Sequence, residues 1–221
     1  MNKVFIVANL KSYKNEQEGK AWLEEFTKHK EELDRYGDRE VIIAPPFTLL
    51  PSFASAFSGT KVMLASQNLS PFDEGAYTGE VNAKQVKDFA NYVIIGHSER
   101  RNYFKESEEM LYEKTYQAIK YGLTPIFCVQ AEQTIVPEGV RIIAYEPTFA
   151  IGSGHPDTPE SANTVAQGFM EKNKNYCVLY GGSVNETNVR SFLTEGKIKG
   201  VLVGSESLNP QQFVQIIQNA L

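Results

Sequence analysis

The chain has 221 residues, 42% of them hydrophobic and 22% charged, which suits one soluble domain with a substantial core. A formal net charge of −5 without any Lys/Arg block argues against a general binder of nucleic acid or anionic membranes, and no apolar run approaches the length of a membrane span. Asn9 and Lys11 interrupt the first apolar run well short of a secretory leader, so a cytoplasmic protein is expected. Cys128 and Cys177 each sit inside an apolar run and read as buried reduced thiols. His29, His97 and His155 lack metal-ligand spacing, and no metal is expected.

Short apolar runs alternate with helical stretches along the chain, the pattern of parallel strands joined by helical crossovers. The first run, residues 4–8, ends at Asn9-Leu10-Lys11. The helix after it carries Trp22, Phe26, His29 and Leu33 on one face, where His29 reads as packing. A second run at 41–44 is closed by Pro45 and Pro46, a short helix is predicted over 48–57, and a third run covers 62–65. The loop from Ser66 to Glu80, with Gly75 and Gly79, is long enough to suggest an interface or a lid. A fourth strand at 92–95 leads into Gly96-His97-Ser98-Glu99, with a helix starting near Ser98 and another over about 107–121. The fifth strand spans 124–129. Only residues 130–140 separate it from the next, barely the dozen or so that a parallel crossover needs, so the fifth helix should be stunted or missing.

The sixth strand ends abruptly at Glu146-Pro147, because Pro removes a backbone donor. Thr158-Pro159 starts a helix that runs to about Lys172, with Thr158 as N-cap and Pro at the first helical position. Strands at 177–180 and 201–203 end in Gly181-Gly182-Ser183 and Gly204-Ser205, and Asn209-Pro210 opens the last helix. Eight parallel strands with seven or eight helices predict a closed (β/α)8 barrel, a TIM barrel, as one catalytic domain over residues 1–221. A doubly wound open sheet is the alternative; it is disfavoured because no G-x-G-x-x-G follows the first strand.

In a barrel the carboxyl ends of all strands meet on one face. That would bring together Asn9, Lys11, His97, Glu99, Glu146, Gly152, Ser183, Gly204 and Ser205: an ammonium, an imidazole, a carboxylate suited to proton abstraction, and Gly/Ser loops able to aim N–H groups at a phosphate. Each has a plainer reading. Glu146 alone would be a solvated strand-end carboxylate, Lys11 a surface lysine, His97 a structural histidine, and Glu99 an exposed charge in a first helical turn.

These residues resemble the triosephosphate isomerase family over nearly the whole chain. The resemblance is carried by Asn9-Leu10-Lys11, the loop from Gln67 to Glu80, Gly96 to Arg101, Ala144-Tyr145-Glu146-Pro147 with Ala150 to Gly154, and Tyr180-Gly181-Gly182-Ser183-Val184. It implies interconversion of dihydroxyacetone phosphate and glyceraldehyde 3-phosphate without a cofactor. By the resemblance Glu146 is the base, a neutral His97 polarises the carbonyl, Lys11 stabilises negative charge and Asn9 donates a hydrogen bond; this is the family's own assignment, carried over to these positions, while Glu99 reads from its place beside Lys11 as the residue that orients it. Gly152, Ser183, Gly204 and Ser205 would hold the phosphate, the segment after Glu146 would close over it, and the 66–80 loop would make a homodimer, with Thr78 beside the partner's site.

The chain departs from the family pattern at Leu10 and Phe149, both usually Trp, at Pro156, at Gln130-Ala131 in place of Gly-Glu, and at Ser205 in place of Gly. Two other readings compete: a Schiff-base aldolase using Lys11, and a non-catalytic phosphate-binding relative.

Overall fold

The structure is a computed structural model that describes residues 3–33, 35–147 and 156–220. Eight strands, β1 (Val4–Asn9), β2 (Arg39–Ala44), β3 (Met63–Ser66), β4 (Tyr92–Ile95), β5 (Thr124–Val129), β6 (Ile142–Tyr145), β7 (Cys177–Tyr180) and β8 (Ile198–Val203), pair in sequence order. β8 pairs back onto β1, so the sheet is a closed parallel barrel rather than an open one.

Side-chain alternation divides each strand between two apolar layers. Val7, Ile42, Ala44, Ala65, Ile94, Ile126, Cys128, Ala144, Leu179 and Leu202 fill the barrel interior. Their neighbours, among them Ile6, Ala8, Val41, Ile43 and Ile143, pack outward against the helices. The last seam requires a glycine. A Cβ on Gly200 in β8 would stand 2.2 Å from the Phe5 carbonyl oxygen in β1.

Among the described residues nine α-helices surround the barrel: α1 (Glu16–Thr27), α2 (Lys30–Leu33), α3 (Leu50–Ala56), α4 (Ala83–Lys87), α5 (Ser98–Tyr103), α6 (Glu108–Lys120), α7 (Pro159–Lys172), α8 (Val189–Thr194) and α9 (Pro210–Asn219). The count exceeds the expected seven or eight because two connections hold a pair of helices. The face from Trp22 to Leu33 is split, since the His29 N–H bonds the Phe26 carbonyl, three residues back, and tightens the end of α1. Asn15 closes the other end of α1 with a capping box to Glu18. The short helix expected over 48–57 is a 3₁₀ turn at Phe47–Leu49 followed by α3.

No helix stands between β5 and β6. The connection instead lies against α7: Lys172 Nζ donates to the Glu132 carbonyl oxygen at 2.5 Å. Glu132 covers Gly168, where a Cβ would be 2.4 Å from the carboxyl carbon.

Candidate active site

The last residue of β1 and the inward-facing positions one step beyond β6, β7 and β8 meet at the barrel mouth. Two residues after Val7, Ala144, Leu179 and Leu202 come Asn9, Glu146, Gly181 and Gly204, so the alternation that fills the barrel also aims these four at its mouth. The ladder continues past the strands to hold them. The Glu146 N–H bonds the Val129 carbonyl and the Gly181 N–H bonds the Tyr145 carbonyl, both at 2.8 Å. A Cβ on Gly181 would lie 3.1 Å from Glu146 Cγ, so the bare glycine leaves room for the carboxylate.

Asn9, Lys11, His97, Glu146, Ser183, Gly204 and Ser205 line one cavity of about 260 Å³. Gly181, Val184, Asn185, Leu202 and Glu206 complete its wall. None of those five was assigned a site role from sequence; Gly181 and Leu202 could have been found from the alternation of β7 and β8. Glu99 stands outside this wall and reaches it through Lys11, whose Nζ donates to Glu99 Oε1 at 2.5 Å. Gly152 and Phe149, with the segment expected to close over the site, lie outside the described residues.

Lys11 has φ of 52°, an uncommon left-handed conformation for a residue with a side chain. It is held on both sides: its N–H bonds Asn9 Oδ1 at 3.1 Å, and its carbonyl accepts from Gln67 Nε2 at 2.9 Å. The same Gln67 amide bonds the Ala44 carbonyl at 2.8 Å, fastening the end of β1 to that of β2.

His97 is the N-cap of α5, and its Nδ1 accepts the Glu99 N–H at 3.2 Å. That bond puts the ring proton on Nε2, which faces Glu146 Oε1 at 2.9 Å. The second Glu146 oxygen accepts the Ser98 N–H at 2.9 Å, and the residue is only 1% exposed. Burial, the largest single influence, lowers the His97 pKa, but the carboxylates of Glu146 and, less strongly, Glu99 raise it and the net direction is upward. Gly96 makes the preceding turn at φ 71°, and Arg101 Nε bonds its carbonyl at 2.9 Å.

The last loop is fixed from below. Ser205 opens a 3₁₀ turn, Ser205–Leu208, and is not among the described residues with positive φ, so its Cβ is accommodated. Ser207 Oγ donates to the Gly204 carbonyl at 2.6 Å, and Trp22 Nε1 donates to the Ser207 carbonyl at 3.0 Å. Just before α7, the Asp157 N–H donates to the Tyr180 hydroxyl at 2.8 Å. Burial raises the Tyr145 pKa, and the Asp157 carboxylate adds to the rise.

Both cysteines are free thiols; burial pushes Cys128 well up and Cys177 up to about 11. Among the described residues no His, Cys, Asp and Glu are grouped so that they could hold a metal ion, and no helix is long and apolar enough to cross a membrane.

The family model for triosephosphate isomerase matches residues 4–140 and 137–220. The chain belongs to the triosephosphate isomerase family. The two matches meet in the connection between β5 and β6, where the helix is missing. The triosephosphate isomerase of Dictyoglomus thermophilum is 40% identical over an alignment of 254 residues, covering 99% of this chain and 100% of the relative. That of Dictyoglomus turgidum is 38% identical over 99% of this chain and 100% of its own length, and that of Trichodesmium erythraeum 38% identical over 98% and 99%. An alignment of 254 positions for a 221-residue chain means that the Dictyoglomus thermophilum protein carries residues this chain lacks.

Proposed function

We propose that residues 1–221 act as one catalytic domain that interconverts dihydroxyacetone phosphate and D-glyceraldehyde 3-phosphate in the cytoplasm, by proton transfer through an enediol(ate). The observation that supports this reading most directly is the meeting of Glu146, His97, Lys11 and Asn9 on one cavity with the two Gly/Ser turns. Glu146 leaves Ser98 and His97, takes the proton from the carbon next to the carbonyl, and returns it to the neighbouring carbon. His97 Nε2–H donates to the carbonyl oxygen as negative charge develops there, and Lys11 and Asn9 stabilise that charge. Once Glu146 has turned to the substrate, the strongest upward influence on the His97 pKa is gone; burial, Lys11 and the start of α5 then favour the neutral ring against the weaker push of Glu99. Main-chain N–H groups at Ser183, Gly204 and Ser205 hold the phosphate, with Gly152 as a fourth contributor.

A Schiff-base aldolase would need Lys11 as a free amine, and the bond to Glu99 would have to break first. A coupled assay on the purified protein tests the isomerase reading. Steady turnover of dihydroxyacetone phosphate is expected, and none would overturn it.

The same reading gives a homodimer through the 66–80 loop. Phe72 and Tyr77 on that loop stack at 4.3 Å between ring centroids while remaining 47% and 44% exposed. A second cavity of about 290 Å³, walled by Lys11, Pro46, Phe47, Gln67, Glu99 and Phe104, shares Asn9, Lys11 and His97 with the first and suits a loop from a second copy. The base of the loop is braced by Lys114, which is buried and donates to Asn68 Oδ1 at 2.7 Å and to Glu106.

A further inference from the structure

We infer that Glu206 sets the strength of phosphate binding in this cavity, where its carboxylate opposes doubly charged phosphate and weakens substrate and product binding together. The inference rests on the isomerase reading above and adds a residue to it.

Glu206 lies between Ser205 and Ser207 in the 3₁₀ turn and lines the cavity together with Lys11, Ser183, Gly204 and Ser205. The turn cannot carry it away easily. Ser207 is bonded through its N–H and hydroxyl to the Gly204 carbonyl, and Trp22 grips the Ser207 carbonyl from the helical layer. Among the described residues no Lys, Arg or His pairs with the Glu206 carboxylate. Lys11, the only ammonium in the cavity wall as described, is already bonded to Glu99. The wall therefore carries one ammonium against the carboxylates of Glu146 and Glu206 when His97 is neutral.

A phosphate dianion entering such a wall is attracted by main-chain N–H groups and repelled by a fixed charge of its own sign. The phosphate keeps its charge throughout the isomerisation, so the repulsion acts equally on the ground and transition states. Such a uniform term is read in KM and in inhibition by free phosphate.

The test compares the parent with Glu206→Gln and Glu206→Asp, using the phosphorylated triose as substrate and inorganic phosphate as competitor. With Gln, both KM and the inhibition constant of inorganic phosphate are expected to fall about three- to tenfold, while Asp, which keeps the charge, stays within about twofold of the parent. The gap between parent and Gln should narrow in roughly 0.5 M salt, where exposed charges are screened. It should narrow again as the pH drops through the second phosphate ionisation, near 6 to 7 by analogy with phosphate esters. Calorimetric binding of inorganic phosphate supplies the same comparison without turnover. An inactive parent would overturn the isomerase reading alone. Unchanged phosphate affinity in Glu206→Gln, or an equal gain in Glu206→Asp, would overturn the role of Glu206. Should Gln fold poorly, Glu206→Ala is expected to show the same tightening, and its absence would count equally against the role.

Discussion

His97 Nε2 stands 2.9 Å from Glu146 Oε1, with the ring's other nitrogen occupied by the Glu99 N–H, so one proton on Nε2 joins an imidazole and a carboxylate that are both buried. Burial is the largest single influence and pulls the His97 pKa down, but the carboxylates of Glu146 and Glu99 together leave it above the ordinary value of 6.5. The pair therefore adds stability that is fully present below the unfolded pKa and is lost as pH rises through the folded one. Glu146→Gln removes the larger upward push and leaves burial and Lys11 against the weaker push from Glu99. Imidazole titration by NMR should then show His97 below 6.5; a pKa still raised in the Gln variant would mean that another group holds it up.

Gly204 and Gly200 contrast in what a Cβ would strike. On Gly204 it would meet Lys11 Cε at 3.1 Å, a movable side chain. Gly204→Ala is expected to displace the ammonium and lower kcat/KM roughly tenfold, with little change in melting temperature. On Gly200 it would meet the Phe5 carbonyl oxygen at 2.2 Å, which is backbone. Gly200→Ala should cost about 3 kcal/mol or more because the β8–β1 seam must open. Thermal melts and kinetics on the two variants check the contrast; equal loss of stability in both would contradict it.

Trp22 links the helical layer to the phosphate loop. It stacks on Phe26 at 4.8 Å and on Phe53 at 5.7 Å, and donates to the Ser207 carbonyl. Trp22→Ala is expected to cost roughly 3–5 kcal/mol through the cavity it leaves. Trp22→Phe keeps most of the packing and loses the bond, about 1–3 kcal/mol with a raised KM. A Phe variant with unchanged stability and KM would show that the loop does not depend on this bond.

The readable parts of the molecule are those with a period. Strands at 92–95, 124–129 and 177–180 agree with the sequence reading because each is an apolar run bounded by polar or turn residues. α7 was legible from Thr158-Pro159, and the hydroxyl of Thr158 does cap it. α4 and α8 leave no periodic pattern in the sequence: at 5 and 6 residues neither completes two turns, so no amphipathic repeat develops. The capping box of Asn82 and Gln85 was the available signal for α4. β8 begins at Ile198, three residues before its apolar run, because Lys199 and Gly200 hide the alternation. Asn9 and Glu146 were legible as strand-end residues. Glu206 was not, since one carboxylate in a polar turn has no periodic context and only the closed barrel brings it to Lys11.

Dimerisation should depend on the apolar tip of the 66–80 loop, where Phe72 and Tyr77 are exposed. Sedimentation of the parent at micromolar concentration is expected to give a dimer, and Phe72→Glu a monomer with reduced activity. A monomeric parent, or a Phe72→Glu variant that remains a fully active dimer, would assign that loop another role.

Glu146→Gln in the coupled isomerase assay tests the proton-transfer reading most directly, because Gln keeps the size and shape of the side chain and one accepting oxygen but cannot take a proton. Loss of roughly 10²–10⁴-fold in kcat is expected, the range for a positioned general base. A Gln variant that retains most of the parent's turnover would contradict the role of Glu146.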